Sequence, residues 1–154
     1  GVFQRLSQEV STLIYFKIEC KPPGPYISKL LALTDNRVKI FAGNAGFQMI
    51  ENYDRGATGT MPGCSMFDVY LKIHNTYFSG NRAESIALHN AILPMLNHIR
   101  QNVEQIILYE KRILYRRGLI ASETCRLPSF APDKYFDELF ELYYEQLSPL
   151  FEKV

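Results

Sequence analysis

Hydrophobic positions divide the chain into two parts with different periodicities. Up to about residue 65, short apolar runs alternate with short helical stripes, and each run ends at a proline or glycine cluster. This pattern predicts strands over 13–19, 38–41 and 58–61, with helices over 2–10, 26–33 and 47–53. Alternating helices and strands are typical of parallel βαβ units, so we expect a parallel sheet in this part.

From Met66 onward the pattern predicts helices only. Apolar residues recur at helical spacing over 66–77, 82–100 and 106–117, and again after Asp133 as far as Leu150. Asp133 is a predicted N-cap and Gly118 a predicted helix end, and we expect Pro94 to kink or divide the second of these helices. We therefore divide the chain into residues 1–65, an α/β part, and residues 66–154, a helical part.

The first predicted strand contains a lysine. Side chains alternate between the faces of a strand, so Tyr15, Lys17 and Glu19 share one face. If that strand is buried, Lys17 points into an interior, where desolvation lowers a lysine pKa and the neutral amine is a nucleophile toward carbonyl groups. The alternative is an edge-strand lysine that extends its ammonium group to water.

Unusual residues follow the ends of all three predicted strands. Lys17 and Glu19 end the first, Gly43 and Asn44 follow the second, and the third runs into Thr60-Met61-Pro62. Because active groups of parallel β/α barrels lie at the carboxyl ends of the strands, we expect a site there. Three parallel strands leave two sheet edges unpaired, so either another chain supplies further strands or the chain is the final part of a longer barrel.

Composition excludes several classes of function. The chain has 17 Lys and Arg against 16 Asp and Glu, so no net charge indicates nucleic acid or a membrane surface as a partner. We expect the basic cluster from Lys111 to Arg117 to be the outer face of a helix. The three cysteines form no CxxC pair, which predicts reduced thiols in a cytoplasmic setting. No apolar run approaches the roughly 18 residues of a membrane span, and no signal peptide is expected.

Two other groups of residues invite a chemical interpretation. His74, His89 and His98 lie in predicted helices without a partner at ligand spacing, which favours a surface or core role over a metal site. The segment from Gly43 to Gly46 resembles a phosphate cradle. It lacks the lysine and Ser/Thr of a P-loop, so it favours contact with a substrate hydroxyl or carboxylate.

The ordered motifs resemble the C-terminal half of the N-acetylneuraminate lyase and dihydrodipicolinate synthase family. Residues 15–19 resemble the family's sixth-strand G-I-K-E stretch, and residues 41–44 lie where its seventh strand ends. Residues 56–63 are similar to the turn and eighth strand, and 79–84, 93–96 and 111–128 are similar to motifs of its helical tail. The resemblance covers essentially the whole chain.

The resemblance implies the C-terminal part of a (β/α)8 barrel, strands six to eight, followed by a helical subdomain. It implies a lyase, either an aldolase or a hydro-lyase, in which Lys17 forms a Schiff base with a 2-keto acid, without a metal or organic cofactor. Gly43, Asn44, Thr60 and Met61 are then expected to contact the substrate. The complete enzyme is expected to be a homo-oligomer, a tetramer or dimer, in the cytoplasm.

The sequence also departs from the family pattern. Asn44 and Ala45 replace an acidic residue that contacts sugar hydroxyls in relatives, so we expect sialic acid to be a poor substrate. Glu19 lies one residue further from the lysine than the family glutamate. Strands one to five, with the carboxylate site and the proton-shuttling tyrosine, are expected to precede Gly1. The alternative function is a non-catalytic helical interaction module or an inactive fragment of such an enzyme.

Overall fold

The three predicted strands pair in chain order into one parallel sheet. The computed structural model describes residues 1–152, and its strands are β1 (Tyr15–Ile18), β2 (Lys39–Ala42) and β3 (Gly59–Thr60). The register places Lys17 opposite Phe41 and Phe41 opposite Gly59. The parallel sheet predicted from the alternating pattern is confirmed, although β1 has four residues where seven were predicted.

Three helices and one short turn of 3₁₀-helix accompany the sheet in a compact unit of residues 1–62. The helices are α1 (Val2–Glu9), α2 (Gly24–Leu33) and α3 (Met49–Asp54), and the 3₁₀ turn is Asn44–Gly46. Proline in the first turn of α2 is tolerated because the N–H that it lacks would have no partner within the helix. Ile27 and Leu30 of α2 are buried, as the helical stripe predicts.

The two faces of the sheet differ in how they are covered. Phe16 and Ile18 point toward α1 and α2, where an apolar cavity of about 310 Å³ lies between the strand and the two helices. Their register partners Ile40 and Ala42 are fully buried. Lys17 and its neighbours on the opposite face remain largely exposed within residues 1–152.

The expectation that β1 is a buried strand is therefore wrong for this chain. Its residues alternate between exposed and half-buried, and the Lys17 side chain retains 42% of its accessible surface. Phe16 and Ile18 lie on the face toward the helices, whereas Tyr15 and Lys17 on the opposite face are exposed. Within residues 1–152, this lysine therefore keeps much of its contact with solvent.

A second compact unit begins at Gly63 and is helical. Its helices are α4 (Phe67–Phe78), α5 (Arg82–Ile99), α6 (Val103–Arg116) and α7 (Lys134–Leu147), followed by a 3₁₀ turn at Ser148–Leu150. The Asp133 side chain accepts hydrogen bonds from the N–H groups of Tyr135 and Phe136, which confirms the predicted N-cap. Pro94 lies inside α5 and does not divide it, contrary to one of the two expected outcomes.

The basic cluster of α6 is not the solvent-facing surface that the sequence predicts. Arg112 pairs with Asp137 and Arg116 with Glu141, so both arginines connect α6 to α7. Arg117, directly after α6, pairs with Asp68 of α4, and both side chains are more than nine-tenths buried. Acidic residues from distant parts of the chain pair with all three arginines, and the local helical pattern of α6 contains no sign of them.

Residues 1–152 contain neither a membrane-spanning helix nor a three-residue metal site. None of the helices in that range has the length and apolar character required to cross a membrane. The same residues contain no group of three His, Cys, Asp or Glu side chains that could hold a metal ion. His98 is buried in the second unit, with Nε2 2.9 Å from the carbonyl oxygen of Phe136. That contact gives His98 a role in the helical core.

Candidate functional site

The carboxyl edge of the sheet brings the predicted site residues of β1 and β2 together. Lys17 is the third residue of β1, and Glu19 follows the end of that strand. The N–H of Gly43 donates to the carbonyl oxygen of Ile18 at 2.8 Å, which extends the pairing of the two strands by one step. Glu19 and Gly43 consequently lie side by side at the edge.

Lys17 forms a salt bridge at this edge. Its Nζ lies 2.9 Å from Oε1 of Glu19, and the Glu19 side chain is 58% exposed. The glutamate side chain passes directly over Gly43: a Cβ atom at Gly43 would collide with Cγ, Cδ and Oε1 of Glu19. The absence of a side chain at residue 43 therefore leaves the space that the Glu19 carboxylate occupies.

Asn44 holds the chain that follows β1. Its side-chain Nδ2 donates to the carbonyl oxygens of Glu19 and Cys20, each at 3.2 Å. Asn44, Ala45 and Gly46 all have positive φ, and asparagine tolerates this backbone conformation better than most residues. In this structure the Asn44 amide is a brace between two loops, and its predicted contact with substrate stays a prediction.

Thr60 and Met61 continue the edge on β3. The Thr60 hydroxyl donates to the carbonyl oxygen of Ala42 at 2.9 Å, and the Met61 N–H donates to the same oxygen. Thr60 pairs with Ala42 in the register, so its side chain lies on the face toward the helices, opposite to Lys17. Met61 is half-exposed at the end of the edge. For both residues, substrate contact stays a prediction.

Two aromatic residues complete the face that carries Lys17. The rings of Tyr15 and Phe41 lie 5.4 Å apart, centroid to centroid. Phe41 also covers Gly59, because a Cβ atom at Gly59 would come within 2.5 Å of the Phe41 ring. Sequence reasoning did not select Phe41 as a site residue. Alternation along β2 shows that Phe41 lies on one face of the strand. Only the register between β1 and β2 shows that this is the face of Lys17.

The arrangement provides a defined set of chemical groups. A lysine, whose amine is a nucleophile once it is neutral, lies on an open sheet face, and a carboxylate within hydrogen-bond distance can exchange protons with it. The aromatic rings of Tyr15 and Phe41 flank the lysine along the same face. Such a set suits chemistry at a carbonyl carbon.

Solved structures of dihydrodipicolinate synthases share the fold of this chain. The enzyme from Rhodopseudomonas palustris matches with a TM-score of 0.84 and 23% identity, over 95% of this chain and 50% of that one. The Oceanobacillus iheyensis enzyme matches with a TM-score of 0.81 and 16% identity, over 96% and 50% of the two chains. The Thermotoga maritima enzyme gives 0.77 and 20%, over 97% and 50%.

These matches establish an α/β fold that corresponds to half of a dihydrodipicolinate synthase structure. The chain spans about half the length of each of the three matched structures. Sequence comparison adds nothing to this likeness, since no family profile and no curated protein matches the chain.

Proposed function

We propose that the chain is the C-terminal half of a (β/α)8 enzyme of the N-acetylneuraminate lyase and dihydrodipicolinate synthase family. Strands β1, β2 and β3 would be its strands six to eight. Residues 66–154 would form the last barrel helix and the helical subdomain. The order of the sequence motifs supports this assignment, as does a fold shared with half of each matched structure.

The proposed reaction is Schiff-base lyase chemistry on a 2-keto acid, such as pyruvate or a 2-keto-3-deoxy sugar acid. The observation that carries it is the position of Lys17, which lies on the open sheet face, beside the carboxyl edge and 2.9 Å from a carboxylate. The neutral amine adds to the ketone and water leaves. The resulting iminium draws electrons from the adjacent bond, so that a carbon–carbon bond breaks or water is eliminated.

The proposed substrate contacts lie along the carboxyl edge of the sheet. Gly43, Asn44, Thr60 and Met61 line the edge and are the proposed substrate contacts. The amine supplies the electron sink, so no metal or organic cofactor is part of the proposal. The three cysteines are free, which supports a reducing, cytoplasmic compartment. We further propose that the complete enzyme is a homo-oligomer, a dimer or tetramer.

The test is covalent trapping on the complete protein. The protein is incubated with pyruvate and borohydride, and the reduced adduct is located by peptide mass. We expect the adduct on Lys17 and its loss in Lys17→Ala. Lys39→Ala is the matched control, because Lys39 lies on the same sheet face but at the amino end of β2. That variant should keep the adduct.

Circular dichroism of Lys17→Ala should match that of the unmodified protein, because the side chain is exposed and its removal leaves no buried group unpaired. An adduct on another lysine, or no adduct with any 2-keto acid, would reject Lys17 as the nucleophile. The helical interaction module would then be the better explanation of the chain.

A further inference from the structure

Within residues 1–152, the carboxylate of Glu19 lies within hydrogen-bond distance of the Lys17 amine. Schiff-base formation requires that the amine nitrogen lose protons and that the carbonyl oxygen leave as water. In residues 1–152, Lys17 forms an ion pair with Glu19, whose Oε1 lies 2.9 Å from Nζ. A heavy-atom distance of this size permits direct proton transfer.

The neighbouring loop leaves room for the Glu19 side chain and restrains its backbone. Gly43 lies directly beneath the glutamate side chain, and any side chain at residue 43 would displace the carboxylate. The Nδ2 of Asn44 donates to the carbonyl oxygen of Glu19 and so restrains the backbone that carries the carboxylate. The loop after β2 therefore provides the space beside the lysine in which this carboxylate lies and restrains the backbone that carries it.

From this geometry we propose that Glu19 is a proton-transfer residue for Lys17, in addition to the tyrosine that the family resemblance implies on the preceding strands. This rests on the proposed function. When neutral Nζ adds to the ketone, the new C–N bond leaves a positive charge on nitrogen and a negative charge on oxygen. Glu19 accepts one proton from that nitrogen and gives it to the oxygen, which yields a neutral carbinolamine.

A second proton completes the step. Glu19 is more than half exposed, so it can take a proton from solvent. It donates this proton to the carbinolamine hydroxyl, which leaves as water while the nitrogen lone pair forms the C=N bond of the iminium. The overall balance is amine plus ketone plus one proton, giving iminium plus water. No oxidant or other reactant is required.

The experiment measures how fast the borohydride-trapped adduct with pyruvate appears on Lys17 of the complete protein. General acid–base catalysis contributes about 10²- to 10⁴-fold to a rate, so Glu19→Gln and Glu19→Ala should form the adduct at least about 100-fold more slowly. Added acetate should restore part of the rate in Glu19→Ala, since a free carboxylate then occupies the vacated space. Gly43→Ala should also slow the reaction, because the added methyl group displaces Glu19.

Glu51→Gln is the matched control. It removes the same carboxylate from a 2.9 Å salt bridge, with Arg55, on α3 of the same unit. Its adduct rate should be unchanged. If Glu19→Gln forms the Lys17 adduct as fast as the unmodified protein, or acetate has no effect on Glu19→Ala, Glu19 is only an ion-pair partner and the inference is wrong. If the unmodified protein forms no adduct on Lys17, the proposed function itself fails.

Discussion

Asn44 shows how one side chain can hold the candidate site together. Its backbone is left-handed, with φ of +52°, and its amide donates to the carbonyl oxygens of Glu19 and Cys20. Each such hydrogen bond contributes on the order of 1 kcal/mol to stability when its partners cannot easily find replacements. At this exposed edge water can replace part of that contribution, so the effect of losing both bonds should be modest.

We expect Asn44→Ala to lower the free energy of unfolding by about 1–2 kcal/mol, from the lost hydrogen bonds and the cost of alanine in a left-handed conformation. Urea denaturation of the protein measures this value. Asn36→Ala is the matched control, because Asn36 has a similar φ of +57° in the turn between α2 and β2. The loss of stability in Asn36→Ala measures the cost of alanine in a left-handed conformation. Equal losses in the two variants would show that the Asn44 amide does not brace the edge.

At the scale of elements, a buried ion pair connects the end of α6 to α4. The Arg117 guanidinium donates to both carboxylate oxygens of Asp68, at 2.8 and 2.7 Å, and the N–H of Glu152 donates to the same carboxylate. Burial by itself raises the pKa of Asp68. The hydrogen bonds from Arg117 and Glu152 outweigh this effect, so the pKa lies below its usual value of 3.8.

Because folding lowers the pKa of Asp68, the stability of the protein depends on pH in a defined direction. A carboxyl group whose pKa is lowered by folding stabilises the protein fully above its unfolded pKa, here 3.8. The stabilisation is lost as the pH falls through the folded pKa. At neutral pH, Asp68→Asn leaves the buried Arg117 charge uncompensated, and we expect a loss of about 3 kcal/mol. Below pH 4 the difference between the variant and the unmodified protein should shrink.

Thermal or urea unfolding at a series of pH values measures this difference. Glu9→Gln serves as the control, because Glu9 pairs with Arg5 on the exposed surface of α1. Exposed ion pairs contribute only about 0–1 kcal/mol, so this variant should differ little from the unmodified protein at any pH. A constant difference for Asp68→Asn between pH 7 and pH 3 would contradict the role assigned to its ionisation.

At the scale of the whole molecule, the sheet has unpaired edges. Within residues 1–152, β1 and β3 each pair with β2 alone. Apolar side chains near β1 are also exposed, namely Val2, Phe3, Ile14 and Tyr15. Unpaired strand edges beside apolar surface favour association with other chains.

We expect residues 1–154, expressed as they stand, to associate in a concentration-dependent way, as measured by sedimentation velocity. Ile14→Lys should reduce the association, because Ile14 is about half exposed beside β1 and a charge there opposes strand pairing. Phe78→Lys is the control, with the same charge placed on exposed apolar surface of α4. A monomer at every concentration, with a cooperative unfolding transition, would argue against the sheet edge as an association surface.

The order of the elements follows from the sequence alone. Alternating short runs closed by Pro and Gly predicted the parallel strands, and 3.6-residue stripes predicted the helices, because both patterns depend on neighbours within a few residues. The N-cap at Asp133 and the helix end at Gly118 are equally local, and the structure has both. Lys17 could be singled out from the sequence alone because it is a charged residue within an apolar run.

The partners of these residues were decided only by the tertiary structure. The contact between Glu19 and Gly43 depends on the register of β1 against β2, and the pairing of Arg117 with Asp68 joins residues 49 positions apart. Alternation gives the face of a side chain but not what covers that face, so the burial expected for Lys17 was wrong. Periodicity records which side of an element is apolar, whereas exposure and charge neutralisation depend on which distant segments pack there.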